Sequence, residues 1–104
     1  MRIRAPASVL SKEEVRAAAL EIARAKLKSW VLDALVEDDT DLDGRPCLRI
    51  TIVLKPGKSL LSRGQQTGEI SLALLDFMLE RGDQRWAFVH YATQAELEEF
   101  ANEE

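Results

Sequence analysis

At 104 residues, with 46% hydrophobic and 31% charged side chains, the chain has the length and balance of one globular domain, 1–104, and lies far from the apolar-poor composition of disordered segments. Its apolar stretches are too short and too often broken by charge to supply the roughly 20 residues of a bilayer-spanning helix, and its single cysteine, Cys47, excludes an intramolecular disulfide or a multi-thiolate zinc site. The net charge of −4 is uneven: Glu37 to Asp43 is acidic, Gly44 to Gly68 carries only basic charge, and Thr93 to Glu104 only acidic charge.

The first residues place Arg2 and Arg4 ahead of no apolar run, so they lack the centre of a secretory signal. Glu13, Glu14 and Glu21 are foreign to organelle transit peptides. A cytoplasmic location is therefore expected, with 1–9 and 102–104 as flexible ends. Ser11 and Glu14 have the spacing of a capping box, and Leu10 and Val15 that of a hydrophobic staple. Behind them Val15, Ala18, Ala19, Ile22, Ala23, Leu27 and Trp30 recur with helical period, which predicts an amphipathic helix to about Lys28.

The period then changes to alternation. Leu48, Ile50, Ile52 and Leu54 alternate with Arg49, Thr51 and Val53 as in a strand with one buried face, and Leu32, Ala34 and Val36 alternate before it. A loop Leu42-Asp43-Gly44, with Gly44 in the left-handed conformation, pairs Val36 with Ile50, Ala34 with Ile52 and Leu32 with Leu54. The alternative turn at Asp43-Gly44 alone would bury Glu37 and Asp39, so the longer loop is favoured. It also sets Glu37 opposite Arg49.

Lys55 to Gly68 reads as a loop, broken by Pro56, Gly57, Gly64 and Gly68. A second helix is expected to begin between Ser62 and Thr67 and to end at Arg81, with Gly82 as its left-handed stop. Arg85 to Ala92 is rich in aromatics and alternates as a third strand, and Thr93 with Glu96 forms another capping box before a short acidic helix. The expected fold is α+β with order αββαβα: a three-stranded mixed sheet made of a hairpin and a right-handed crossover, in order 1-2-3, with helices packed on one face. Val15, Ile22, Ile50, Ile52, Leu54, Leu74 and Phe77 are its expected core.

Asp39, Asp41, Asp43 and Gly44 match the opening of an EF-hand loop, but Ile50 stands where the closing bidentate carboxylate belongs. No metal site follows. Lys55, Lys58 and Arg63 among glycines could meet an anion, yet their spacing is not that of a phosphate loop. Together with Arg45 and Arg49 they are the candidate nucleic-acid or anion contacts. His90 and Cys47 are each alone of their kind and sit in no nucleophile motif, so no catalytic residue and no cofactor is assigned.

The element order helix-strand-strand-helix-strand resembles the type II KH arrangement, a resemblance that implies an RNA-binding or ribosome-associated module. That family carries a G-x-x-G loop or a related kink between two helices, whereas Gly64-Gln65-Gln66-Thr67-Gly68 is one residue longer. The overall acidity also departs from a basic RNA binder. The second helix bears apolar residues around more than half its circumference, more than one sheet contact requires, which marks Leu72, Leu75, Met78 and Leu79 as candidate interface residues. The leading expectation is a non-enzymatic interaction or accessory protein, forming a homodimer or serving a partner in a bacterial-type cytosol. RNA binding is the alternative, and an enzyme of unmarked type comes third.

Overall fold

The computed structural model describes residues 9–58, 60 and 63–101. The expected flexible ends, apart from Val9, lie outside the described residues. The elements are α1 (Lys12–Leu27), a single 3-10 turn (Lys28–Trp30), β1 (Val31–Thr40), β2 (Pro46–Leu54), α2 (Gly64–Glu80), β3 (Trp86–Thr93) and α3 (Gln94–Ala101). The strands form one mixed sheet in order β1-β2-β3, antiparallel between β1 and β2 and parallel between β2 and β3.

Local chemistry fixes the element ends. The Ser11 hydroxyl accepts from the Glu14 amide at 3.0 Å, and the Glu14 carboxylate accepts from the Ser11 amide at 2.9 Å. Two donors that the first turn would leave unpaired are thereby satisfied. At the far end Lys28 takes φ 56°, a left-handed turn made by a lysine instead of a glycine. Gly82, at φ 85°, closes α2 in a Schellman motif: its amide bonds to the Leu79 carbonyl at 3.0 Å and the Asp83 amide to that of Met78 at 2.9 Å.

Gly44, at φ 80°, ends the three-residue loop expected between β1 and β2. The Asp41 carboxylate accepts from the Asp43 and Arg45 amides at 2.9 Å each, so an acid that suggested a calcium ligand stabilises the turn itself. Val36 lies opposite Ile50, Ala34 opposite Ile52 and Glu37 opposite Arg49, as the alternation requires. Arg49 nevertheless pairs with Asp39, its diagonal neighbour, and not with Glu37.

The register departs from expectation at the start of β1. A slip between Val31 and Asp33 sets Val31 opposite Leu54, so Val31 enters the core while Leu32 is turned outward. The bulge is held from α1. Arg16 Nε donates to the Ala34 carbonyl at 3.0 Å and its guanidinium pairs with Asp33, while Arg24 Nη2 donates to the Leu32 carbonyl at 3.2 Å.

Helices α1 and α2 cover one face of the sheet. Val15, Ala19 and Ala23 of α1 meet Ala34, Leu48, Ile50 and Ile52 of the sheet and the row Ile70, Leu74, Met78 of α2, all fully buried. Leu54 joins them at 3% exposure. Residues four apart stack along one helix face, so the row that places Leu74 inside also takes in Met78. Phe77, one position off that row, packs against the core from its rim, as Ile22 does from α1. Its outer side meets the Arg81 guanidinium at 3.9 Å from the ring centre. The core therefore corrects two expectations: Phe77 and Ile22 are peripheral, and Met78 is central.

The loop expected over Lys55 to Gly68 is shorter, because α2 begins at Gly64 and takes both glycines into its first turns. Between β2 and Gly64 no helix is found among the described residues. The pair of helices flanking a glycine loop, which the KH arrangement needs, is not found in them.

Candidate interaction surface

Because side chains alternate along each strand, the face away from the helices is formed by Leu35, Glu37 and Asp39 of β1, Cys47, Arg49, Thr51 and Val53 of β2, and Trp86, Phe88, His90 and Ala92 of β3. Its apolar groups concentrate at the β3 side. Trp86 is 54% and Phe88 41% exposed, with ring centres 6.3 Å apart and planes tilted by 59°. Leu35 is 42% exposed on the same face. Exposed aromatics on neighbouring positions of a sheet are costly to leave in water and are common anchors of interfaces.

At the hairpin end a broad open groove of about 710 Å³ runs beside these rings, bordered by Val9, Asp41, Arg45, Pro46, Gln84 and Arg85. Its base is a buried ion pair. Asp83 is fully buried and receives Arg85 Nη2 at 2.7 Å, Arg85 Nε at 3.0 Å and the Leu10 amide at 3.0 Å. Arg85 Nη2 also donates to the Leu10 carbonyl at 3.0 Å, and Asp38 lies 3.5 Å from both Arg85 and Lys12. Three separate stretches, the entry to α1, the hairpin end of β1 and the α2–β3 connection, are thus clasped together. Burial alone would raise the Asp83 pKa, but the hydrogen bonds from Arg85 and the Leu10 amide outweigh it and hold the carboxyl below the usual range.

Nucleophilic chemistry finds no support in this surface. Cys47 is 3% exposed, and burial, reinforced by Asp39 and Asp41, pushes its thiol pKa up and away from the reactive thiolate. His90 shares the face but lies opposite Thr51, four residues along the strands from Cys47, or about 13 Å at the strand rise. Tyr91 points to the helix side. Its hydroxyl is buried with no hydrogen-bond partner among the described residues, and burial raises its pKa to about 12.

The candidate basic contacts do not form one patch. Arg45 and Arg49 stand in the hairpin half of β2 and its turn, whereas Lys55, Lys58 and Arg63 lie beyond the other end of the strand, with Lys55 about 20 Å from Arg49 and about 33 Å from Arg45 at the strand rise. Arg49 is engaged with Asp39. Lys58 and Arg63 sit over the Trp30 ring at 5.3 and 4.5 Å from its centre, which gives them a local role as cation–π partners. Of the apolar candidates on α2, Leu72 and Leu79 are 65% and 59% exposed and lie two turns apart on one stripe. Leu75 is half-buried against the core, and Met78 is wholly inside it and belongs to no surface.

Sequence reasoning missed the Asp83–Arg85 clasp. Its signal was present in the acid directly after the helix-ending Gly82, a position whose amide is drawn into the Schellman motif and whose side chain is turned inward with it. No protein-family model matches the chain, and no curated protein sequence is detectably similar to it.

Proposed function

We propose that this chain is a small non-enzymatic interaction protein, acting through homodimerisation or a protein partner, with the open sheet face as its contact surface. The observation that carries the reading is the Trp86–Phe88 pair, two large aromatics left in solvent on a face that α1 and α2 do not cover and that also exposes Leu35 on β1. Burying them against a second protein regains the hydrophobic free energy that the monomer forgoes. The exposed stripe of Leu72 and Leu79 offers a second, smaller contact on the opposite side.

RNA binding is the competing reading, because exposed aromatics on a sheet can stack unpaired bases. Charge argues against it. The same face carries Glu37 and Asp39 against Arg49 alone, the acidic hairpin tip lies beside it, Arg85 is committed to Asp83, and Lys55, Lys58 and Arg63 are far from the rings, which leaves Arg45 as the one basic residue near them without an ion pair among the described residues. Sedimentation of the full chain over a wide concentration range, with binding to total cellular RNA measured at two salt concentrations, separates the two. Reversible self-association, or capture of a protein partner lost on substitution of Trp86, supports the proposal. A monomer that binds RNA in a salt-dependent manner, through Lys55, Lys58 and Arg63, contradicts it.

A further inference from the structure

The two edges of the sheet are built differently. Along β1, arginines from α1 occupy the Leu32 and Ala34 carbonyls, a bulge breaks the register beside them, and Glu37, Asp38 and Asp39 follow in sequence. These are the devices by which an edge strand is kept from pairing with another chain. Along β3, none of them is found among the described residues from Trp86 to Ala92. That stretch contains no acidic or basic residue beyond the single His90, its pairing with β2 is regular, and the side chain that bonds to the backbone of β3 does so at the strand's end, where the Thr93 amide donates to Glu96. The cover also thins toward this edge. Val89 and Tyr91 are half-buried, while Ile50 and Ile52, their partners on β2, are fully buried.

Resting on the interaction reading above, we infer that the occupant is a second copy of this chain, joined edge to edge through antiparallel pairing of β3 with its symmetry mate to give a continuous six-stranded sheet. A two-fold axis makes such a contact isologous, so each strand must complement itself. A charge-free strand does so without setting like charges opposite one another, which β1 with its acids would not. Every second residue of β3 turns its N–H and C=O outward, and the pairing satisfies them in both copies. It also gathers Trp86 and Phe88 of both copies on one face. Antiparallel alignment brings the Trp86 end of one β3 beside the α3 start of the other. Arg45, which borders the groove with Trp86 and makes no ion pair among the described residues, then approaches the exposed Glu98 and Glu99 of the mate.

Amide hydrogen exchange on the full chain, at concentrations above and below the association midpoint found by sedimentation, tests this directly. The expected result is a dimer in which alternate amides of Trp86 to Ala92 gain protection with concentration while those of β1 do not. Phe88→Lys, at an exposed position the monomer fold does not need, is expected to weaken association by about tenfold or more with an unchanged far-ultraviolet spectrum and melting profile of the diluted protein. Arg45→Glu is expected to weaken it to a smaller degree. A dimer without new protection in β3 overturns the edge pairing while leaving the interaction reading in place. A chain that stays monomeric at all concentrations overturns the pairing, and if it instead binds RNA the interaction reading falls with it.

Discussion

Alternate residues of β2 face two different environments, and the contrast separates what holds this molecule together from what it presents. Toward the helices, Leu48, Ile50 and Ile52 are fully buried among Val15, Ala19, Leu74 and Met78. Toward the open side, Arg49 is exposed in an ion pair and Thr51 is half-buried, while Cys47 and Val53 are hidden by their neighbours in the central strand. The first face is uniform and apolar, as a stability element should be. The second mixes charge, a thiol of raised pKa and aromatics gathered on β3, and is the face proposed for association.

The comparison is sharpest at adjacent positions. Ile52→Ala is expected to cost about 2–5 kcal/mol in denaturant unfolding, since it opens a cavity in the fully buried layer. Thr51→Ala, one residue away on the other face, should stay within about 0.5 kcal/mol. Equal losses at the two sites would mean that the faces are not distinct.

Asp83→Ala comes next, at about 3 kcal/mol, because it strands a mostly buried Arg85 and frees the Leu10 amide. The sign of the pH dependence follows from the lowered carboxyl pKa. In the folded chain Asp83 ionises more readily than in the unfolded one, so its contribution is complete above the ordinary aspartate value of about 3.9 and is lost as pH falls through the lower folded value. Urea midpoints measured downward from neutral pH should drop in acid, and Asp83→Asn should flatten that drop.

Gly44→Val should cost about 1 kcal/mol or more, as a β-branched residue resists the φ of 80° that sets the hairpin register. That register decides which face each side chain takes, so a neutral thermal melt would weaken the contrast at its origin. The smallest expected change is a gain. Lys28→Gly should stabilise the chain by a few tenths of a kcal/mol, since the penalty of about 1 kcal/mol or more that the lysine bears at φ 56° slightly exceeds the cost of glycine's greater unfolded-state freedom.

Much of the interior was legible in the sequence, because periodicity reports which side of an element is covered. Ile50, Ile52, Leu74, both capping boxes and the Gly44 turn all follow from local pattern and turn chemistry. The bulge at Val31 to Asp33 was not legible, since it depends on Arg16 and Arg24 reaching across from α1. Nor was the burial of Met78: an over-apolar helix shows that some residues are surplus, but only the sheet decides which. The open face was harder still. Trp86 and Phe88 alternate just as a buried pair would, and their exposure depends on where α1 and α2 lie.

The central claim is that the helix-covered face carries stability and the aromatic side of the open face carries association. Sedimentation equilibrium and urea unfolding of a Trp86→Ser, Phe88→Ser double variant beside the parent chain test both halves at once. Association is expected to be lost, while the unfolding free energy of the monomer changes by less than about 1 kcal/mol. A double variant that associates as strongly as the parent, or one that unfolds, would contradict the division.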